Sequence, residues 1–258
     1  MRIKPVKWFI YMISLCMLSG CGNAAADSGN TPEPAEQEDE VIESELQLEE
    51  AITVLENHLP DLEGIDEALP GELHVGDSCQ GDIGNDGRQD IVILLESWET
   101  FPSGEDTADT RKSRRVVCVF TEKEPDVYEY VCKNGQLVRN SDGGGIWGDP
   151  YAGMKIQDGF LTISDYGGSN DRWGDDFTFG LGESGDLELY KIRRYDYHIV
   201  YRYGNVHYFD YITCIREDYV IEDCSIEEAT FSSSTDFTPR ESIPVLFEDT
   251  RETQDWMR

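Results

Sequence analysis

The spacing of hydrophobic positions changes period once along this chain. Leu48, Ile52, Leu55 and Leu59 recur at steps of three and four residues, the spacing of one face of a helix. Ser44 suits its N-cap, glutamates fill the first turn and Pro60 closes it. Beyond this segment the signals are those of strands. Ile91–Leu95 is an unbroken apolar run, as expected of a strand covered on both faces. Val116–Thr121 and Val127–Lys133 are rich in valine and aromatics. Asn134-Gly135 predicts a tight turn into Gln136–Arg139, and Asp158-Gly159 one between Met154–Gln157 and Phe160–Ser164. Gly204-Asn205 predicts a third, between "HIVYRY" and "VHYFDYITC". Phe177, Phe179 and Leu181 alternate before "GESGD", and Leu187–Arg193 follows. Tyr211–Ile215 and Tyr219–Cys224 make the last pair. The expectation is about ten short strands in sequential hairpins: a mainly β, antiparallel, hairpin-rich sheet or sandwich in a single domain, with an N-terminal helix.

The start of the chain has another character. Arg2, Lys4 and Lys7 precede the apolar stretch Trp8–Leu18, which is too short to span a bilayer and suits the core of a signal peptide. The segment Leu18-Ser19-Gly20-Cys21 resembles the lipobox of bacterial lipoproteins. That resemblance implies cleavage before Cys21, diacylglycerol on its sulfur and acylation of the new amino group. Residues 22–43 carry Ala, Pro, Gly, Ser and many acids with few apolar side chains, so they cannot offset their ordering entropy and are expected to form a disordered tether. The expected organisation is a signal peptide over 1–20, a lipidated Cys21 with an acidic tether over 21–44, and a β-rich extracytoplasmic domain over 45–258. The protein would be anchored by lipid at the cell membrane or cell surface.

Charge narrows the partners. The chain has 53 acidic and 21 basic residues, for a net charge of −32. Such a surface repels nucleic acid and anionic lipid and leaves cationic groups or glycans as ligands. Of seven cysteines, Cys16 leaves with the signal and Cys21 takes lipid. Cys79, Cys118, Cys132, Cys214 and Cys224 remain, and an exported chain permits disulfides among them. Cys118 and Cys132 fall on neighbouring strands, as do Cys214 and Cys224. Spacing alone does not fix the pairing.

One loop carries candidate metal chemistry. In "GDIGNDGRQDIVILLE" (81–96) acids stand at Asp82, Asp86 and Asp90, with Gly87 for the sharp turn and a strand directly after. Calcium requires six to eight oxygens, and a tight loop can wrap several of them round one ion. The stretch resembles the calcium loop of FG-GAP/VCBS-type repeats, known from integrin-like propellers. That resemblance implies Asp82, Asp86, the Arg88 carbonyl and Asp90 as ligands. The third position is Gly84 here, and Asn85, displaced by one, would have to supply its oxygen. The alternative is a glycine–aspartate turn that only feeds a strand.

Two further stretches, "NSDGGGIWGDPYAG" (140–153) and "DYGGSNDRWGDD" (165–176), mix glycine, aspartate and aromatics. With their flanking strands they resemble a segment of uncharacterised bacterial lipoproteins, which implies a shared fold unit and no particular activity. Read as loops, they offer Trp147, Tyr151, Tyr166 and Trp173 as flat faces and Asp149, Asp171 and Asp175 as acceptors, a set suited to a sugar ring or a cationic group. No G-x-S-x-G is present, and His198 and His207 lie in strand-like segments. The reading is therefore a lipid-anchored binding or scaffold domain stabilised by calcium. A surface hydrolase cleaving glycans through paired carboxylates is the alternative.

Overall fold

The computed structural model describes residues 4–5, 49–69, 72–99, 112–222, 229–237 and 245–250. Cys21, the tether, Leu48 and Cys224 lie outside the described residues. Helix α1 covers 49–58 and runs into a 3-10 turn, Leu59–Asp61, with Pro60 inside it. A short helix α2, Ile65–Ala68, follows. Among the described residues no helix is long and apolar enough to cross a membrane.

Among the described residues twelve strands form two sheets. The first has the order β1-β2-β3-β4-β5: β1 is Lys4–Pro5, β2 Leu73–Gly81, β3 Asp90–Glu99, β4 Lys112–Glu124 and β5 Val127–Asn134. β1 pairs with β2 in parallel over two residues, and the remaining pairs are antiparallel. The second is a seven-stranded antiparallel meander from β6 to β12: β6 is Tyr151–Gln157, β7 Phe160–Gly168, β8 Asp171–Leu181, β9 Leu187–His198, β10 Tyr203–Asp210, β11 Ile215–Glu222 and β12 Thr230–Asp236.

Strand β3 explains the layering. Alternate side chains of a strand point to opposite faces. Ile91, Ile93 and Leu95 turn to α1 and pack with Ala51, Val54 and Leu55. Val92 and Leu94 turn the other way and meet Phe177, Phe179 and Ile192 of the second sheet. The molecule is thus helix, sheet and sheet, and the unbroken apolar run of β3 is the layer buried from both sides. The helix uses a slightly rotated face. Ala51, Val54 and Leu55 are fully buried, while Ile52 and Leu59 flank them, because residue 51 is small enough to let the helix settle close to the sheet.

Four local expectations are corrected. Tyr211–Ile215 is not a strand paired with Tyr219–Cys224: residues 211–214 turn, and β11 starts at Ile215 and pairs with β10 and β12. Asn134-Gly135 does not turn a hairpin: β5 ends at Asn134 and no strand follows over 136–139. The Asn134 amide instead donates to the carbonyls of Phe247 (2.5 Å) and Thr250 (3.1 Å), and its oxygen accepts from the amides of Gln136 and Leu137. It thereby ties residues 245–250 to the first sheet. Gly204-Asn205 lies inside β10, where a Cβ on Gly204 would fall 2.1 Å from the Asp196 carbonyl oxygen. The reversal occurs earlier, over 199–202, with Arg202 at positive φ. Finally, 165–176 is not a loop: Asp165–Gly168 ends β7, Asp171–Asp176 begins β8, and only Ser169-Asn170 turns. The Asp158-Gly159 turn is as expected, with both residues at positive φ.

Cys79, Cys118, Cys132 and Cys214 are free thiols. Cys118 faces the helix side of the first sheet and Cys132 the sheet side, so these two neighbours cannot pair. Burial pushes the thiols of Cys79 and Cys118 up to about 12, which makes them apolar filling and poor nucleophiles.

Candidate functional site

The 165–176 stretch, as paired strands, sends its side chains to both faces of the second sheet. Asp165 and Asp175 are opposed in register on the inner face and each is 3% exposed. Like charges placed opposite one another repel, and here guanidinium groups neutralise them. Arg194 grips Asp175 with two bonds of 2.6 and 3.1 Å. Arg139 lies 3.4 Å from both carboxylates, and its guanidinium stacks 4.6 Å from the centre of Trp173. Trp173, half-buried, lies across Gly167 of β7, where any Cβ would strike the indole. Asp175 and Trp173 therefore brace the interior. This carboxylate pair is closed and charge-compensated, and it does not have the open form that a pair of glycosidase acids needs.

Asp149 and Tyr151 lie where the two sheets meet. Arg115 of β4 donates from Nε to Glu96 (2.6 Å) and from Nη1 to Asp149 (2.6 Å) and the Arg139 carbonyl (3.0 Å). Its Nη2 also binds Asp149. Asp149 accepts the Tyr151 amide, and the Tyr151 hydroxyl donates to Asp77 at 2.7 Å. These bonds anchor the exit of the glycine loop, residues 140–150. The loop is also fixed at its middle. Gly168 of β7 donates to the Gly144 carbonyl, Gly144 to that of Gly148, and Gly148 to that of Gly145. Gly145 and Gly148 hold positive φ, which only glycine accepts without cost.

The rigid loop displays Ile146 and Trp147, the latter 51% exposed. On the outer face Trp147 lies over Arg172 of β8, its ring centre 4.1 Å from the guanidinium carbon. Tyr166 lies 5.8 Å from the same carbon. Tyr195 and Tyr197 of β9 continue the aromatic surface, and the hydroxyls of Tyr166 and Tyr197 are 3.5 Å apart. Asp171 stands apart, largely exposed, 3.9 Å from His198 Nε2. Of the seven residues expected to form one ligand surface, Trp147 and Tyr166 come together there. Arg172 joins them, and sequence reasoning had missed it. The signal was present: with period two, Arg172, Gly174 and Asp176 share one face of a strand, and Trp173 and Asp175 the other.

The Asp82–Asp90 loop packs against the Asp158-Gly159 turn through a bond from the Gly84 amide to the Gly159 carbonyl. Asp82 accepts the amides of Asp86 (2.9 Å) and Gly87 (2.8 Å), and Asp90 accepts that of Ile83 (2.7 Å). Asn85 turns outward, its amide 3.4 Å from the Asp158 carbonyl. Asp86 holds the Arg88 guanidinium through Nε (2.7 Å) and Nη2, and this bond keeps the Asp86 carboxyl below its ordinary value. Among the described residues no group of three or more His, Cys, Asp or Glu side chains is arranged to hold a metal ion. In this conformation Arg88 supplies the positive charge, and a calcium ion would have to displace it from Asp86.

Buried carboxyls set a pH dependence. Burial raises Asp77, Asp90 and Glu96 above their ordinary values of 3.8, 3.8 and 4.5. Between those values and the raised ones the folded state binds more protons than the unfolded chain, so stability falls as pH rises. Asp218 is opposite in sign: against the cost of burial, Arg216, His207 and Ser233 hold it below 3.8, and its contribution is lost only in stronger acid. The melting temperature should rise as pH falls from 7 toward those ordinary carboxyl values, and a steady fall over that interval would contradict this account.

No protein-family model matches the chain, and no curated protein or solved structure matches it.

Proposed function

We propose that this is a lipid-anchored, extracytoplasmic binding module that receives a saccharide on the exposed face of Trp147. The observation that supports the reading is the pinned glycine loop: backbone bonds from β7 and the Arg115–Asp149 pair hold a half-exposed indole in place without burying it. Binding groups placed on loops by a rigid sheet are a common arrangement, and a flat aromatic face stacks on a sugar ring. The cationic-ligand reading is less well supported, since Asp149 and Asp175 already hold arginines. The full-length chain in detergent should bind members of a panel of neutral and acidic oligosaccharides, read by tryptophan emission. Trp147→Ala should weaken that binding about tenfold, or ~1.4 kcal/mol, with little change in melting temperature. A melting temperature lowered as for a core residue, with binding intact, would reject the assignment.

Calcium at Asp82, Asp86, the Arg88 carbonyl and Asp90 is the stabilising part of the proposal. Its support is the convergence of three acids around one guanidinium, since Arg88 feels the charge of all three. A ligand held only by the folded state raises stability by RT ln(1 + [L]/Kd). Millimolar calcium should therefore raise the melting temperature over chelator, more so in Arg88→Ala and not at all in Asp86→Ala. Superimposable curves in the parent and in Arg88→Ala would leave the loop as a turn.

A further inference from the structure

Arg172 is anomalous in a chain so rich in acid. Arg88, Arg115, Arg139, Arg193, Arg194 and Arg216 each hold a carboxylate. Arg172 is only 8% exposed, yet its Nε and Nη1 are enclosed and make no hydrogen bond. Its neighbours are aromatic: Trp147 at 4.1 Å and Tyr166 at 5.8 Å. A stacked ring satisfies the charge of a guanidinium in part but not its in-plane N–H donors. Buried donors without acceptors are rare in folded proteins, and each calls for an explanation. The nearest acids in sequence and register do not provide acceptors. Asp171 belongs to the opposite face of β8 and lies by His198. Asp176, on the same face, is taken by Arg193. Across the strand pairs Arg172 meets Gly168 and Tyr197.

We propose that Arg172 is the receptor for an oxyanion, carboxylate or phosphate, carried by the saccharide that stacks on Trp147. The inference rests on the saccharide reading above and narrows it to acidic sugars. A guanidinium offers two parallel N–H donors to two oxygens of such a group, and charge-assisted bonds of this kind are the strong ones. The ligand oxygens would complete the donors that the protein leaves open. The loop backbone stays pinned, and the Trp147 side chain, which covers the guanidinium, turns about its own side-chain torsions to admit the anion beside the ring. The rest of the surface repels anions at long range, so selectivity would come from contact geometry and not from steering.

The test uses the full-length chain in detergent with three probes: tetragalacturonate, its fully methyl-esterified form and glucose 6-phosphate. The ester keeps the rings and removes the charge. The carboxylate probe is expected to bind at least tenfold more tightly than its ester, with affinity falling as sodium chloride is raised. Glucose 6-phosphate decides whether phosphate serves as well as carboxylate. Arg172→Gln should abolish the preference for acid over ester and leave the melting temperature unchanged or higher, because it removes an unpaired buried charge. Arg172→Lys, which keeps the charge and loses the planar fork, should retain only part of the preference. Equal binding of acid and ester, lost in Trp147→Ala, would overturn the oxyanion site and keep the stacking face. Acid binding lost in Arg172→Gln but kept in Trp147→Ala would do the reverse. No response to any probe, or a preference that survives in Arg172→Gln, would overturn the inference.

Discussion

Arg115→Met should destabilise the fold by about 3–5 kcal/mol, the range for removing one partner of a buried ion pair. For a domain of this size that lowers the melting temperature by roughly 10 °C. Arg115 is 4% exposed and donates to Glu96, Asp149 and the Arg139 carbonyl at once. Its loss would leave the Glu96 carboxylate buried among β-strands without its guanidinium partner. Burial already raises that carboxyl, with Arg115 working against the rise. In the variant the rise would be larger, so the deficit should grow as pH rises above the ordinary glutamate value of 4.5. Glu96→Gln in the same chain should recover part of the loss, since a neutral amide costs less to bury. The exit of the glycine loop should also loosen, because Asp149 is one of its attachments to the first sheet, Ser141, which accepts the Ser113 amide, being another. The Trp147 emission would then report the change even below the melting transition. A melting temperature within two or three degrees of the parent (roughly 1 kcal/mol) would mean that the Arg115 cluster is not structural.

The large features of this fold are legible in the chain because they rest on repeated signals. β3 is marked by five consecutive apolar residues, and α1 by Ile52 and Leu55, with Leu59 just beyond, at helical steps. Asp158-Gly159 is a turn because both residues take positive φ and their flanks alternate. Single dipeptides failed where tertiary partners decide. Asn134 satisfies distant carbonyls at 247 and 250, which outweighs the tendency of Asn-Gly to reverse the chain. Gly204 is glycine because β9 approaches it closely, not because the chain turns there. The turn itself uses Arg202 at positive φ, and arginine carries no turn signal. The site was legible only in part for a similar reason. Glycine and aspartate suggested a loop over 165–176, whereas glycine is there to admit Trp173 and Tyr195 across strands. Which aspartates were free could not be read either, since Arg115 and Arg194 reach them from β4 and β9 and Arg139 from the segment after β5.

Cys21→Ala should release the protein from the membrane fraction or leave it as an uncleaved precursor, an all-or-none change in location. The expectation follows from the lipid-anchored reading and from the order of the first twenty-one residues: a basic start, the mainly apolar stretch Trp8–Leu18, then Ser19-Gly20-Cys21. Each buried methylene contributes about 0.8 kcal/mol, so one chain binds a bilayer reversibly and two or three anchor it durably. Alanine offers no sulfur for the diacylglycerol, and Cys16 lies inside the apolar stretch, ahead of the expected cleavage point. Net charge sharpens the outcome. At −32 the chain gains nothing from an anionic bilayer, so electrostatics cannot hold the unlipidated form in place. Cleavage would have a second, structural consequence. It would remove Lys4–Pro5, which pairs with His74 and Val75, and leave β2 as the edge of the first sheet. The precursor and the mature form should therefore differ in hydrogen exchange at the β2 amides that face β1 and at few other sites. Fractionation of parent and variant with and without high-salt washing checks the anchor. A variant that matures to the parent's size and stays with membranes through the wash would exclude lipidation at Cys21.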